Sequence, residues 1–378
     1  MKPLIEILAE IPDFRKAKGK RHPLLSILAM ACVAMLCRYR SYSAIAEWGR
    51  NYGKNMVSAL GFTHKKTPCA ATLHTIFRNI DTEDFEGRLG EWSEGVMSSI
   101  VTTDAPEDGL VGVSVDGKTL AGSRKQGAPG AHLLSAVSHR LGLTFAQRAG
   151  DNSTDEMRII LELLQDLVIE GRVFTMDALN TQRETAKTIL DGGGNYMMIV
   201  KENQQKLLDD VKTVFDGPCS HLLDRSSAET VDLGHGRIEK RGLTVSSALM
   251  DYSDWPGLKQ VFRVHRVTTL KKTGEKREDI VHGITSLSRE EAGPDSLLNL
   301  LRCHWHIENR SHWVRDVTFD EDHSQVRSGS IPQVMAALRN TVIGLMRWIG
   351  HTNIAAACRY FAARPEEALA AIGIQVEN

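Results

Sequence analysis

Apolar residues recur with the period of an α-helix through about the first hundred residues. This pattern predicts helices over residues 41–51, 72–80 and 85–100, and an almost wholly apolar helix over 24–37. The apolar helix is shorter than the roughly 20 residues that span a bilayer, so we expect it to be buried in protein and the chain to have no membrane partner. Basic residues at 15–21 and 64–66 fit either a DNA-binding module of helix-turn-helix type or a helical domain with a solvated basic surface.

Beyond residue 109 the apolar residues alternate, which is the period of a β-strand. Strands are predicted over 110–116, 132–138 and 143–148, then over 173–176 and 196–200, each of the last two after a helix. The helices start at Ser-x-x-Glu and Thr-x-x-Glu capping boxes, Ser153 with Glu156 and Thr181 with Glu184. The elements thus follow in the order of three strands, a helix, a strand, a second helix and a fifth strand. This order indicates a mixed α/β sheet flanked by helices, and the RNase H-like fold has the same order.

Turn residues and changes in pattern divide the chain into five segments. Residues 1–105 are predicted to be a helical N-terminal DNA-binding domain and 106–205 the first part of the catalytic core, with an acidic loop at 104–109 as the boundary. Residues 206–295 are a predicted β-rich insertion, 296–330 carry the last helix of the core, predicted over 297–314, and 331–378 form a helical tail.

Composition excludes several classes of protein. With 42% hydrophobic and 25% charged residues, the sequence is typical of globular protein. A net charge of -1 gives no overall electrostatic preference for nucleic acid, so DNA binding would need local basic patches. The six cysteines form no C-x-x-C pair, which argues against a disulfide framework and a cysteine zinc site and favours the cytoplasm.

Three acids stand where chemistry is expected. Asp116 and Asp177 each end an apolar strand, and Glu308 lies on a predicted helix. If their strands are neighbours, the two aspartates converge, and Glu308 would complete a site made only of oxygen ligands. Such a site suits Mg²⁺ or Mn²⁺, and two ions can drive an in-line displacement at phosphorus. Each acid taken singly is as readily a turn or cap residue.

Several neighbours of these acids have two readings. His304 and His312 lie four residues on either side of Glu308, so on an α-helix all three share a face and could bind zinc instead. Lys118 and Lys201 follow the first and fifth strands, where a cation can contact phosphate, although such lysines are usually solvated. Arg237 belongs to a basic patch of the insertion that is either a DNA surface or a solvated hairpin. The acids at 316 and 320–322 are expected to cap or to solvate the helix end and are not assigned to metal.

Six runs resemble the H-repeat-associated group of bacterial insertion-sequence transposases: VSVDGKTL at 113–120, TMDA at 175–178, VKENQ at 200–204, GHGRIE at 234–239, HWHIEN at 304–309 and HWVRDVTFDED at 312–322. The resemblance covers most of the chain in order. It implies an RNase H-like domain with a DDE triad, which falls on Asp116, Asp177 and Glu308. A tyrosine, an arginine and a lysine that accompany the glutamate in related transposases would fall on Leu301, His304 and Arg315, with Arg302 as a substitute cation. His304, Arg315 and Arg302 are therefore expected to contact DNA.

The resemblance implies a nucleoid-associated enzyme of the bacterial cytoplasm that cuts double-stranded DNA at element ends and joins the 3'-hydroxyl to target DNA. Pairing of two ends implies a homodimer or higher oligomer on DNA. Two other hypotheses remain open: a catalytically silent DNA-binding protein derived from such an element, and an RNase H-like nuclease or resolvase without strand transfer.

Overall fold

The computed structural model describes residues 1–52, 54–64, 66–101, 109–124, 130–150, 156–234, 236–305 and 307–375. The chain divides into two compact units. The first consists of Met1–Ala105, Gly117–Asp155 and Ile307–Asn378, and the second of Pro106–Asp116 and Glu156–His306. These units cut across the five predicted segments, whose boundaries stay predictions. Most of the predicted boundary loop at 104–109, and Ser153 of the first capping box, lie outside the described residues.

The five strands predicted from alternation all form. They are β1 (Val111–Thr119), β2 (His132–Ser138), β3 (Thr144–Gly150), β4 (Arg172–Met176) and β5 (Asn195–Val200). They belong to a nine-stranded sheet of order β3-β2-β1-β4-β5-β9-β8-β7-β6. Strands β2 and β3 are antiparallel, whereas β4 runs parallel to both β1 and β5. The predicted mixed sheet of RNase H-like type is confirmed.

The insertion extends the same sheet. Its strands β6 (Ser226–Gly234), β7 (Arg237–Ser246), β8 (Gln260–Leu270) and β9 (Lys276–Thr285) are antiparallel, and β9 pairs with β5. The predicted strands of the insertion lie within β7, β8 and β9. The helix α9 (Gln205–Asp216) that opens the insertion, and the polar strand β6, were not predicted.

The first unit contains most of the helices. They are α1 (Leu4–Ala9), α2 (Leu24–Leu36), α3 (Tyr42–Asn51), α4 (Lys54–Ala59), α5 (Ala70–Asn79), α6 (Thr82–Val101), α11 (Ile331–Trp348), α12 (Ile354–Ala363) and α13 (Pro365–Ile372). Helices α2 and α11 are buried along nearly their whole length and contact each other. The prediction of a buried apolar helix at 24–37 is therefore confirmed. None of the described helices is long and apolar enough to cross a membrane.

The second unit packs helices α7 (Glu156–Gln165), α8 (Arg183–Asp191), α9 and α10 (Pro294–His304) around its strands. Its core joins apolar residues of β4, β5, β7 and β8 to the face of α10 that carries Leu297, Leu298 and Leu301. Helix α10 contacts β4, β6 and β7. The apolar period of this helix therefore fixes its face against the sheet.

The prediction of one continuous helix over residues 297–314 is wrong. Helix α10 ends at His304, and two π-helical turns follow in the first unit, Glu308–His312 and Val314–Thr318. The prediction of a capping box formed by Thr181 and Glu184 is also wrong. The N-cap of α8 is Gln182 without a side-chain cap, because the Thr181 hydroxyl donates to the carbonyl oxygens of Asp177 and Ile199.

Candidate active site

Asp116 and Asp177 lie at the same edge of the sheet in the second unit. Strands β1 and β4 are parallel neighbours, and their register pairs Val115 with Met176. Asp116 follows Val115 and Asp177 follows Met176, so the two acids occupy equivalent positions on adjacent strands. Both side chains are half-buried. Asp177 directly follows β4, but β1 continues to Thr119, so Asp116 lies within its strand and not at its end as predicted. The two acids are neighbours where the parallel pairing of β1 and β4 ends, and ligands bind beyond the carboxyl ends of parallel strands.

The carboxylate of Asp177 is held by the residue three positions later. Asn180 Nδ2 donates to Asp177 Oδ1 at 3.0 Å, and the Asn180 main-chain N–H donates to the same oxygen at 3.3 Å. Asn180 itself is only 4% exposed. One oxygen of the carboxylate therefore carries two hydrogen bonds, and the side chain is held in one orientation.

Amides and a hydroxyl hold the main chain of this loop. Asn203 Nδ2 donates to the Ala178 carbonyl at 2.6 Å, and Gln204 Nε2 donates to the Thr181 carbonyl at 3.1 Å. The Thr181 hydroxyl reaches back to the Asp177 carbonyl at 3.0 Å. Asn203 and Gln204 belong to the run VKENQ at 200–204. Their motif gave no sign that their partners are main-chain atoms of the preceding βα loop.

His304 lies inside the second unit and not at a DNA-facing surface. It is 6% exposed, and its Nδ1 is 2.9 Å from the Thr175 hydroxyl on β4. Burial lowers the pKa of His304 to about 4, although the nearby charge of Asp177 acts to raise it. The imidazole is therefore neutral near pH 7. The prediction that His304 contacts DNA is corrected, because its ring is buried and is paired with the Thr175 hydroxyl of β4.

Glu308 opens the first π-helical turn of the first unit and is exposed. Helix α10 ends at His304, which is buried, and the shared helical face of His304, Glu308 and His312 stays a prediction. π-helical turns interrupt α-helices mostly at functional sites. The grouping of Glu308 with the two aspartates stays a prediction.

Lys118 and Arg315, two residues predicted to contact DNA, form ion pairs within the first unit. Lys118 Nζ lies 2.7 Å from Asp316 and 3.4 Å from Asp322, and its side chain is 9% exposed. Arg315 is completely buried, and its Nε donates to Glu321 Oε2 at 2.8 Å, while its Nη2 lies 2.7 Å from the same oxygen as an ion pair. Neither cation faces outward, so their assignment to DNA is corrected.

The acids after the second π-helical turn are not all solvated, contrary to expectation. Glu321 is 2% exposed and also accepts from Arg339 Nη1 at 2.8 Å. Burial of His312, together with the positive charges of Arg315 and Lys118, lowers its pKa to about 3. His312 is therefore neutral near pH 7, like His304.

The remaining predicted contacts have more open surroundings. Lys201 is exposed directly after β5, and the Arg237 side chain is half-exposed, 3.6 Å from Glu239. Arg302 donates through Nη2 to both carboxylate oxygens of Asp232, at 2.9 and 3.1 Å. Lys201 and Arg237 stay predicted DNA contacts. Arg302 has a structural partner within its own unit.

Within the described residues, no three His, Cys, Asp or Glu side chains are grouped closely enough to hold a metal ion. The alternative zinc site at His304, Glu308 and His312 stays an untested alternative. The donors that do converge, the two half-buried carboxylates of Asp116 and Asp177, fit Mg²⁺ or Mn²⁺, because these ions bind through one or two carboxylates and take water and phosphate oxygens as other ligands.

Two family models and several curated proteins match this chain. Residues 107–345 match the model of the Transposase DDE domain, and residues 5–93 match the DDE_Tnp_1-associated model. The chain is 27% identical over 353 residues to "Putative transposase YncI" of Escherichia coli O157:H7, covering 91% of this chain and 87% of that protein. It is 26% identical over 354 residues to "H repeat-associated putative transposase YhhI" of Escherichia coli K12, covering 92% and 90%.

Among solved structures, the piggyBac transposase synaptic complex with hairpin DNA matches with a TM-score of 0.43 at 10% identity, covering 97% of this chain and 76% of that one. This likeness is too weak to carry a conclusion. The Transposase DDE domain model spans well over half of the chain, including all three predicted acids and the parallel strands β1 and β4. The chain therefore belongs to the DDE transposase family.

Proposed function

We propose that this protein is the transposase of a bacterial insertion sequence, which cuts DNA at the element ends and joins the freed 3'-hydroxyl to target DNA. The observation that carries the proposal is the parallel register of β1 and β4, after whose last pair Asp116 and Asp177 follow on adjacent chains of the sheet. Family membership supports DNA as the substrate. The place of action would be the bacterial cytoplasm, at the nucleoid.

Asp116, Asp177 and Glu308 are the proposed metal-binding catalytic residues. Asp116 and Asp177 would hold two Mg²⁺ or Mn²⁺ ions from adjacent strand ends, and Glu308 would complete the set. When bound, such ions activate the attacking oxygen and stabilise the leaving oxygen. The protein ligands would be carboxylate oxygens, since His304 is buried and its Nδ1 is already paired with the Thr175 hydroxyl.

The two steps balance without an added energy source. In the first, a water oxygen attacks a phosphodiester at the element end, and the 3'-oxygen leaves as a hydroxyl. In the second, that 3'-hydroxyl attacks a phosphodiester of the target, and the target 3'-oxygen leaves. Each step forms one P–O bond and breaks one, so the protein has only to orient the groups and stabilise charge at phosphorus.

DNA binding is proposed for exposed cations and for the helical N-terminal segment. Lys201 follows β5 at the same edge of the sheet as Asp177, and Arg237 lies on β7. Cutting two ends in one reaction would require a homodimer or a larger assembly on DNA. These contacts and this stoichiometry remain proposals, with the register of β1 and β4 as their starting point.

The test uses purified protein and duplex DNA that carries the inverted repeats flanking its gene, with Mg²⁺ or Mn²⁺. The proposal predicts nicks that leave 3'-hydroxyl ends at the repeat, followed by joined products with target DNA. Cutting without joining would favour a nuclease or resolvase. Binding without any cutting in Mn²⁺ would favour a catalytically silent protein.

A further inference from the structure

The loop between β4 and α8 is held by more side-chain hydrogen bonds than a surface turn requires. Over six residues, its main chain and side chains receive hydrogen bonds from Asn180, Thr181, Asn203 and Gln204. Asn180 and Thr181 are buried, at 4% and 0% exposed. The feature that these contacts share is their target, the segment that begins at Asp177.

Capping of a helix does not explain the contact between Asn180 and Asp177. Helix α8 begins at Arg183, and its N-cap is Gln182, which makes no side-chain cap. Asp177 lies five residues before that N-cap, outside the reach of the free N–H groups of the first turn. The Asn180 amide and main-chain N–H therefore serve the carboxylate itself.

Both Asn180 donors go to the same oxygen, Oδ1. Hydrogen bonds to one carboxylate oxygen fix the rotation of the group and draw negative charge to that oxygen. The other oxygen, Oδ2, is then presented in a defined direction. Groups that hydrogen-bond to metal ligands act in this way, and removing them costs about 10- to 100-fold in metal affinity or activity.

We propose that Asn180 is a positioning residue that holds Asp177 Oδ1, so that Oδ2 is the oxygen that binds the metal ion. Asn203 supports the main chain of the same loop. This inference rests on the proposed function, because it assumes that Asp177 is a metal ligand. Asn203 acts one step further away, through the Ala178 carbonyl, and is expected to have the smaller effect.

The experiment measures Mn²⁺ binding to the full-length protein by the electron paramagnetic resonance signal of free Mn²⁺, with no DNA present. Asn180→Ala removes the side-chain donor and leaves the main-chain donor. Asn180→Ser restores a short donor that makes the same local contact more weakly. The matched control is Gln182→Ala, which removes a different side-chain amide of the same loop. The Gln182 side chain contacts the Leu179 carbonyl and the Gln204 amide and makes no hydrogen bond to Asp177.

The inference predicts that Asn180→Ala raises the Mn²⁺ dissociation constant by about 10- to 100-fold. Asn180→Ser should recover part of the affinity, and Gln182→Ala should bind as the wild type does. Thermal midpoints of the variants, measured in parallel, should be similar, since each change removes a single side-chain amide from the same loop.

Two results would overturn the inference while leaving the proposed function intact: wild-type affinity in Asn180→Ala when Asp177→Ala has lost binding, or an equal loss in Asn180→Ala and Gln182→Ala. Wild-type affinity in Asp177→Ala would overturn both proposals, because Asp177 would then hold no ion.

Discussion

Glu321 provides the sharpest prediction on stability. Its two carboxylate oxygens accept from Arg315 Nε and Arg339 Nη1, each at 2.8 Å, and all three side chains are at most 2% exposed. We consider Glu321→Gln, which keeps the shape of the side chain but removes its charge. The two guanidinium groups would then stay buried without a counter-ion.

The expected loss is large. Removing one partner of a buried ion pair costs about 3–5 kcal/mol, because the remaining charge is left desolvated. The control is Asp279→Asn, which removes the partner of Arg266 at 2.8 Å on the surface, where the two side chains are 50% and 33% exposed. An exposed pair of this kind contributes about 0–1 kcal/mol.

The buried ion pairs of Glu321 with Arg315 and Arg339 also predict that the stability of the folded state depends on pH. Burial acts to raise the pKa of Glu321, but Arg315 and Arg339 outweigh it, and the pKa lies below the ordinary value of 4.5. Because the folded-state pKa is depressed, the stabilisation is complete above the unfolded-state pKa and is lost as the pH falls through the folded-state pKa. This acid-induced loss should be smaller in Glu321→Gln than in the wild type.

Hydrogen exchange in α11, which carries Arg339, measures the free energy of opening in this unit. We expect faster exchange in α11 of Glu321→Gln at pH 7, corresponding to a loss of several kcal/mol, and little change in Asp279→Asn. If the two variants exchange alike, the buried pair does not stabilise this unit and the reasoning fails.

Three smaller changes test other contacts. Thr175→Val removes the hydroxyl partner of the buried His304 and should lower the free energy of unfolding by about 1–3 kcal/mol, measured by calorimetry. An unchanged melting temperature would contradict the contact. Gly90→Ala places a methyl group against the Phe145 carbonyl where α6 crosses β3, and should cost about 1–3 kcal/mol in the same measurement; a stabilised variant would show that the helix is not so close. Lys201→Ala should weaken DNA binding and lower the slope of log affinity against log salt by about 1; an unchanged slope would remove Lys201 from the interface.

Elements with a regular apolar period could be predicted from the sequence. The alternating valines of β1 and the apolar run of β4 gave the strands, and their order gave the mixed sheet. Strand β6 was missed because its sequence, SSAETVDLG, carries few apolar residues. Its pairing with β7 is made by the main chain, which leaves no trace in an apolar pattern.

The positions of the two aspartates also follow from the sequence, since both end predicted strands that pair in parallel. The surroundings of the acids do not. Arg315 and Lys118 look like DNA contacts until their partners, Glu321 and Asp316, are known. Such pairings depend on the tertiary fold, and no periodicity marks a cation as buried.

The measurement that tests the central claim most directly is cleavage of an end-containing duplex by Asp116→Asn, Asp177→Asn and Glu308→Gln, beside the wild type. Each change keeps the size of the side chain and removes the charge that would bind Mg²⁺. Duplex binding, measured in parallel, shows whether each variant is still folded. We predict that all three variants bind the duplex and that none cuts it above background. Cutting at the wild-type rate by any one of them would contradict the assignment of that acid to the active site.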